Sequence, residues 1–285
     1  MQIQNNLASM NSSRNQKIVK KKLDRTIERL SSGYKINRAG DDAAGLAISE
    51  LMRNQVNALD QAMRNVSDGV NMTNTGEGAL SEVHAMLARM KTLAVQAANG
   101  TYNSAARADI DAERQNLMEE IDRIGQTTDF DGIPLFAELP ASKLPGYVPP
   151  EMESEITLQI GYSDEETLDV KRYYMGSKEL LLHQTDFSSV NAANRSVSKI
   201  DEAIEAVTDI RASFGASQNH LDHTSNNLGI TRENMTTAES RIRDADVAEQ
   251  MTTYTAQNII LQSSNSMMVH ANALPDIVLS LIQGQ

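Results

Sequence analysis

Apolar residues recur every seven positions over roughly the first 130 and the last 95 residues, and the segments that alternate like strands lie between them. Ile200, Val207, Phe214, Leu221, Leu228, Met235 and Ile242 form one ladder of sevens. Met52, Val56, Leu59, Met63, Val66 and Val70 follow the four-and-three spacing of a coiled-coil seam. A helix cannot bury such a stripe by itself and requires a partner. The pattern predicts a mainly α fold in which the two ends of the chain pair. This is a long antiparallel helical rod, like a coiled-coil bundle, with a small β-hairpin region and a terminal helix pair.

The elements read in order. Leu23, Ile27, Leu30 and Tyr34 keep a helical stripe within a basic segment, and Gly33 is a helix stop, because glycine tolerates the left-handed conformation that ends helices. After a connector, Lys35 to Gly40, Asp41 or Asp42 caps a second helix from Ala43 to about Asn99-Gly100. Gly69, Gly76 and Gly78 weaken its middle, and Leu80, Val83, Leu87, Met90 and Ala94 continue the seam on a rotated face. A bend or a change of neighbour is expected there. A turn with a Ser cap leads to a third helix over about 105–127 carrying Ile110, Leu117, Ile121 and Ile124.

From Asp131 to Phe187, Pro134, Pro140, Pro145, Pro149 and Pro150 exclude helix in the first part. Residues 155–161 and 167–170 alternate polar and apolar around the turn Ser163-Asp164-Glu165-Glu166, a β-hairpin pattern. Residues 137–154 read as an exposed, poorly ordered loop. A fourth helix starts near Ser188 or Ser189, and Val247, Met251, Tyr254, Leu261, Met268, Leu274, Val278 and Leu281 continue at helical spacing to the end. The expected division is a terminal pair (1–40 and 245–285), a helical rod with hairpin (41–136 and 155–244), and the Pro-rich loop between.

Composition narrows the function. Aromatic content of 4% without Trp favours narrow helical seams over a broad core. A net charge of −12 argues against nucleic-acid binding. The absence of cysteine excludes disulfides and thiolate metal sites. No secretory signal or membrane-length apolar run is visible, and Ser12-Ser13-Arg14-Asn15-Gln16 interrupts the basic amphipathic N-terminus, against membrane attachment. His220 and His223 lie at a spacing two metal ligands can share, yet no His-Glu-x-x-His occurs, so a solvated helix face is expected. No motif signals a catalytic constellation, and neither enzyme activity nor a cofactor is expected. Arg14, Lys17, Lys20, Lys21, Lys22, Arg25, Arg29, Lys35 and Arg38 make the head basic. The tail holds no Lys or Arg after Arg243 but has Asp244, Asp246, Glu249 and Asp276, a complement that would set partner and orientation.

Residues 28–50, from Glu28-Arg29-Leu30-Ser31-Ser32-Gly33-Tyr34 through Arg38-Ala39-Gly40-Asp41-Asp42-Ala43-Ala44-Gly45-Leu46, resemble a bacterial flagellin. So do Arg64-Asn65-Val66-Ser67-Asp68-Gly69, Leu93 to Gly100, Glu120-Ile121-Asp122-Arg123-Ile124, Ser240 to Asp246, and the ending Val278-Leu279-Ser280-Leu281. The resemblance covers about 1–136 and 155–285. It implies a short form without the variable outer domains, exported by the flagellar type III route and assembled with other copies of itself into the extracellular filament used for motility. A flagellin-like hook–filament junction protein is the alternative.

The resemblance further implies an export chaperone, a filament cap and hook-associated proteins as partners. It also implies recognition by Toll-like receptor 5 through positions matching Arg89, Leu93 and Glu113, although Ala88, Lys91 and Thr92 replace the Gln, Arg and Glu common in strongly stimulatory flagellins. Assembly would fall to Leu23, Ile27, Leu30, Val247, Met251, Tyr254, Leu261, Met268, Val278 and Leu281. The terminal segments share too little core to be stable alone, so they are expected to order on assembly.

Overall fold

The computed structural model describes residues 6–137 and 155–283, with the side chains of the last helix described as far as residue 273. The loop expected over 137–154 falls, but for the backbone of Ala137, outside the described residues. The helices are α1 (Leu7–Ser32), α2 (Ala43–Ala97), α3 (Ser104–Thr127), α4 (Val190–Arg243) and α5 (Val247–Gln283). Between α3 and α4 lie short strands β1 (Asp129–Phe130), β2 (Ile133–Pro134), β3 (Phe136–Ala137), β4 (Ile156–Gln159), β5 (Thr167–Val170) and β6 (Tyr173–Tyr174), then a 3₁₀ turn, Leu182–Gln184. The chain divides into two compact units: Met1–Val56 with Glu233–Gln285, and Asn57–Arg232.

Side-chain and backbone caps set the helix ends. Asn6 accepts the Ser9 N–H at the start of α1, and Gly33 ends it at φ 75°. Of the two expected caps for α2, Asp42 accepts the Gly45 N–H at 3.0 Å, whereas Asp41 accepts the Asn37 and Arg38 N–H groups and folds the connector. Asn103, not Ser104, caps α3 by accepting the Ala106 N–H at 2.8 Å. Ser189 accepts the Ala192 N–H at 3.3 Å where α4 begins.

In the unit of residues 57–232, α2 and α4 run antiparallel. Asp60 pairs with Arg232, Glu77 with Arg211 and Lys91 with Asp201, so paired positions move in opposite directions along the two helices. Leu80, Val83, Leu87, Met90 and Ala94 of α2 meet Ile200, Val207 and Phe214 of α4 in a core closed by Ile110 and Ile121 of α3. Phe214 also packs against the rings of Phe136 and Tyr173, with centroids 6.1 and 6.0 Å away. The phase change in α2 reflects a change of neighbour, not a break in the helix. A Cβ on Gly69 would sit 2.6 Å from Leu158 of β4, and one on Gly76 2.8 Å from Phe214. The ladder of sevens is fully buried only as far as Leu221; Leu228, Met235 and Ile242 are half-buried, since they lie outside the core that α3 and the strands help to close.

The expected hairpin is present as the antiparallel β4–β5 pair, Ile156 opposite Val170 and Gln159 opposite Thr167. A second antiparallel pair, β1–β2, turns at Asp131 (φ 52°) and Gly132 (φ 78°). Parallel β3–β6 pairing joins Phe136 to Tyr173. Two-residue strands are too short to show alternation, although Asp131-Gly132 is a hairpin-turn signal that the sequence does carry.

A charged pair, Arg114 buried and Asp111 half-buried, ties the segment leading into α4 to α3. Arg114 binds Asp111 at 2.7 Å and lies 5.6 Å over the Phe187 ring, while Asp111 accepts the Phe187 N–H at 3.4 Å. Burial pushes the Asp111 carboxyl up, but the Arg114 hydrogen bond and charge, with the Phe187 N–H and Gln115, outweigh it and hold it below the usual aspartate range.

In the other unit, α1 and α5 pack antiparallel through polar side chains. Asn6 donates to the Ala271 carbonyl at 2.7 Å, Ser9 to Asn272 at 2.5 Å, Gln16 to Asn265, and Thr26 to Gln257 at 3.0 Å. At its end Lys35 N–H donates to the Arg243 carbonyl and Ala245 N–H to the Gly33 carbonyl. Arg243 lies 4.8 Å over the Tyr34 ring and binds Glu50 at 2.7 Å. Among the described residues the basic head does not pair with the acidic tail, and the Asp276 side chain lies outside them. Among the described residues no ion pair joins α1 to α5, and Lys17, Lys20, Lys21, Lys22 and Arg25 face solvent. Neutral amides and hydroxyls occupy the seam, and they need no desolvated charge.

Gly78→Ala, exposed in mid-helix with open space around it, should stabilise the chain by about 0.5–1 kcal/mol. Gly125→Ala places a Cβ 2.2 Å from the Met175 carbonyl oxygen and should destabilise it by about 1–3 kcal/mol; urea melts of both variants check this. A lowered folded-state pKa at Asp111 means its contribution is whole above the ordinary aspartate value and is lost as pH falls through the lower folded one. The stability difference between about pH 6 and pH 3 should therefore shrink in Asp111→Asn, as read by melts at each pH.

Candidate assembly and recognition surfaces

α5 is apolar around more of its circumference than α1 covers. At 100° per residue, Gln250, Gln257, Leu261, Met268 and Ala271 share the side turned to α1, where Gln250 and Ala271 are buried and the others half-buried. Val247, Met251 and Val269 lie on one flank of that side, Ile260 and Met267 on the other, and all five are exposed. On α1, Leu23 and Thr26 are the buried residues, while Leu7, Met10, Ile18 and Ile27 are exposed.

Of the residues read from the sequence for assembly, Leu23 is buried, Leu30, Tyr254, Leu261 and Met268 are half-buried, and Ile27, Val247 and Met251 are exposed. Val278 and Leu281 lie on α5 beyond the described side chains. Leu7, Met10, Ile18, Ile259, Ile260, Met267 and Val269 are exposed as well. They lie off the single stripe that the spacing marks on each helix.

On the α2–α3 face, Arg89 and Glu113 meet at 2.7 Å, with about half of each side chain exposed. The Glu113 hydrogen bond and charge raise the Arg89 pKa further, so the guanidinium stays charged. Lys91 pairs with Asp201, and Ala88 and Thr92 are exposed beside them. Leu93 does not share this surface. It is 1% exposed and belongs to the α2 seam with Met90, Ala94 and Ala97. The three residues thus comprise an exposed ion pair and a core side chain.

His220 and His223 are exposed on α4. Among the described residues no group of three or more His, Asp or Glu gathers to hold a metal, and no helix is long and apolar enough to cross a membrane.

Residues 3–140 match the bacterial flagellin N-terminal helical region, and residues 197–282 match the bacterial flagellin C-terminal helical region. The chain belongs to the bacterial flagellin family. It is 41% identical to the flagellin of Halalkalibacterium halodurans over 285 residues, covering 99% of this chain and 100% of that protein. To the Bacillus subtilis flagellin it is 38% identical over 307 residues, again 99% and 100% of the two chains. A flagellar hook-associated protein of Vibrio parahaemolyticus shares the fold alone, at 13% identity and TM-score 0.58 over 72% of this chain and 100% of that one. As a flagellin, the chain is a structural subunit of the extracellular flagellar filament, not an enzyme.

Proposed function

We propose that α1 and α5 form the inner core of the filament and that their exposed apolar flanks are buried against neighbouring copies. What supports this reading is one observation: α5 exposes apolar side chains on both flanks of its α1-facing side. Burying each such side chain contributes up to about 1.5–3 kcal/mol. The polar α1–α5 ladder adds little by itself, because an ordinary hydrogen bond nets about 1 kcal/mol. On this reading the terminal helices gain their stability, and much of their order, from assembly. Flanks that meet different surfaces of neighbouring copies give an open-ended helical polymer.

In the same reading residues 41–136 and 155–244 form the next layer. The export chaperone, the filament cap and the hook-associated proteins would meet the same terminal helices outside the filament wall. We further infer that the free chain is recognised by Toll-like receptor 5 through the α2–α3 face of Arg89 and Glu113, with Leu93 supporting it from the core.

Purified chain should grow into long filaments on salt addition, seen by electron microscopy. Val247→Asp with Ile260→Asp should abolish growth yet shift the chain's melting by no more than about 0.5 kcal/mol, as exposed sites do. Native chain that stops at short assemblies would favour a hook–filament junction role. Arg89→Ala should weaken receptor activation by the free chain several-fold while filaments still form; equal activation by both would sink the receptor assignment.

A further inference from the structure

Three methionines are exposed among the described residues, Met10, Met251 and Met267, at 63, 48 and 61%. All three lie on α1 or α5. Of the other described methionines, Met72, Met90 and Met175 are buried, and Met52, Met63, Met86, Met118, Met235 and Met268 are half-buried. The chain has no cysteine, so no thiol competes for an oxidant.

We propose that Met10, Met251 and Met267 are a peroxide-reactive modification site that removes free chains from assembly, an inference that rests on the assembly reading above. A lone pair on the thioether sulfur attacks one peroxide oxygen, the S–O bond forms and the O–O bond breaks. The second oxygen takes the proton and leaves as water. Sulfur is oxidised by two electrons and the peroxide is reduced by two. The sulfoxide is polar and chiral where the thioether was apolar and adaptable. Met251 and Met267 occupy opposite flanks of α5, and Met10 lies on α1. An oxidised chain therefore offers a strong hydrogen-bond acceptor to a neighbour whose matching surface is apolar. In an assembled subunit the same sulfurs are covered, so the chemistry selects chains not yet incorporated.

The test treats the full-length free chain with hydrogen peroxide, maps sulfoxide by peptide mass spectrometry, and then measures filament yield after salt addition. Met10, Met251 and Met267 should oxidise about tenfold faster than the buried Met72, Met90 and Met175, as exposure dictates. Yield should fall in step with their oxidation. The yield of Met10→Leu with Met251→Leu and Met267→Leu, read against the same variant left untreated, should not fall after peroxide. Methionine sulfoxide reductases should return oxidised native chain to full yield, an arm that does not depend on how the leucine variant behaves. Equal oxidation of buried and exposed methionines, unchanged yield after complete sulfoxide formation, or no recovery after reduction would each overturn the proposal. Failure of untreated chain to assemble would instead strike the assembly reading itself, and this inference with it.

Discussion

A narrow apolar stripe on a helix must be covered by another element, because nothing in the helix that carries it can shield it from water. Residues 57–232 meet that demand within the chain. α2 and α4 face each other, α3 and the short strands close the remaining side, and Phe214 joins the helical seam to Phe136 and Tyr173. Gly69 and Gly76 belong to the same solution, since they let Leu158 and Phe214 approach the α2 backbone where a side chain would hold them off.

The terminal pair answers the demand only in part. α1 buries Leu23 and Thr26 and leaves Leu7, Met10, Ile18 and Ile27 in water. Register between α1 and α5 comes from amide and hydroxyl partners such as Thr26–Gln257 and Gln16–Asn265, which are directional. Such contacts specify which positions meet more than they stabilise the meeting. A pair built this way has a defined geometry together with a large unspent apolar surface, the combination a polymerising subunit requires.

Legibility in the sequence followed the length of the pattern. Helices of 24 to 55 residues repeat their spacing many times, and the four-residue strands β4 and β5 alternate visibly. The two-residue strands carry no period to read. Capping was legible to within a residue, as Asp41 and Asp42 show: either carboxylate satisfies the composition rule, and the connector's fold assigns one to the helix and the other to itself. At the α2–α3 face, residue types alone could not separate Arg89 and Glu113, which meet in solvent, from Leu93, which lies in the seam. Heptad spacing held that information only when all the neighbours of Met90 and Ala94 were counted.

By itself the sequence determined the helices, their stops at Gly33 and near Asn99-Gly100, the hairpin, and the need of the two ends for partners. These follow from local propensity and period, which act along the chain. Tertiary structure alone decided how far the ladder of sevens is buried, that neutral side chains rather than opposed charges join α1 to α5, and which flanks of α5 stay open. Each of these depends on which surfaces approach within contact distance, and a one-dimensional pattern carries no distance between elements.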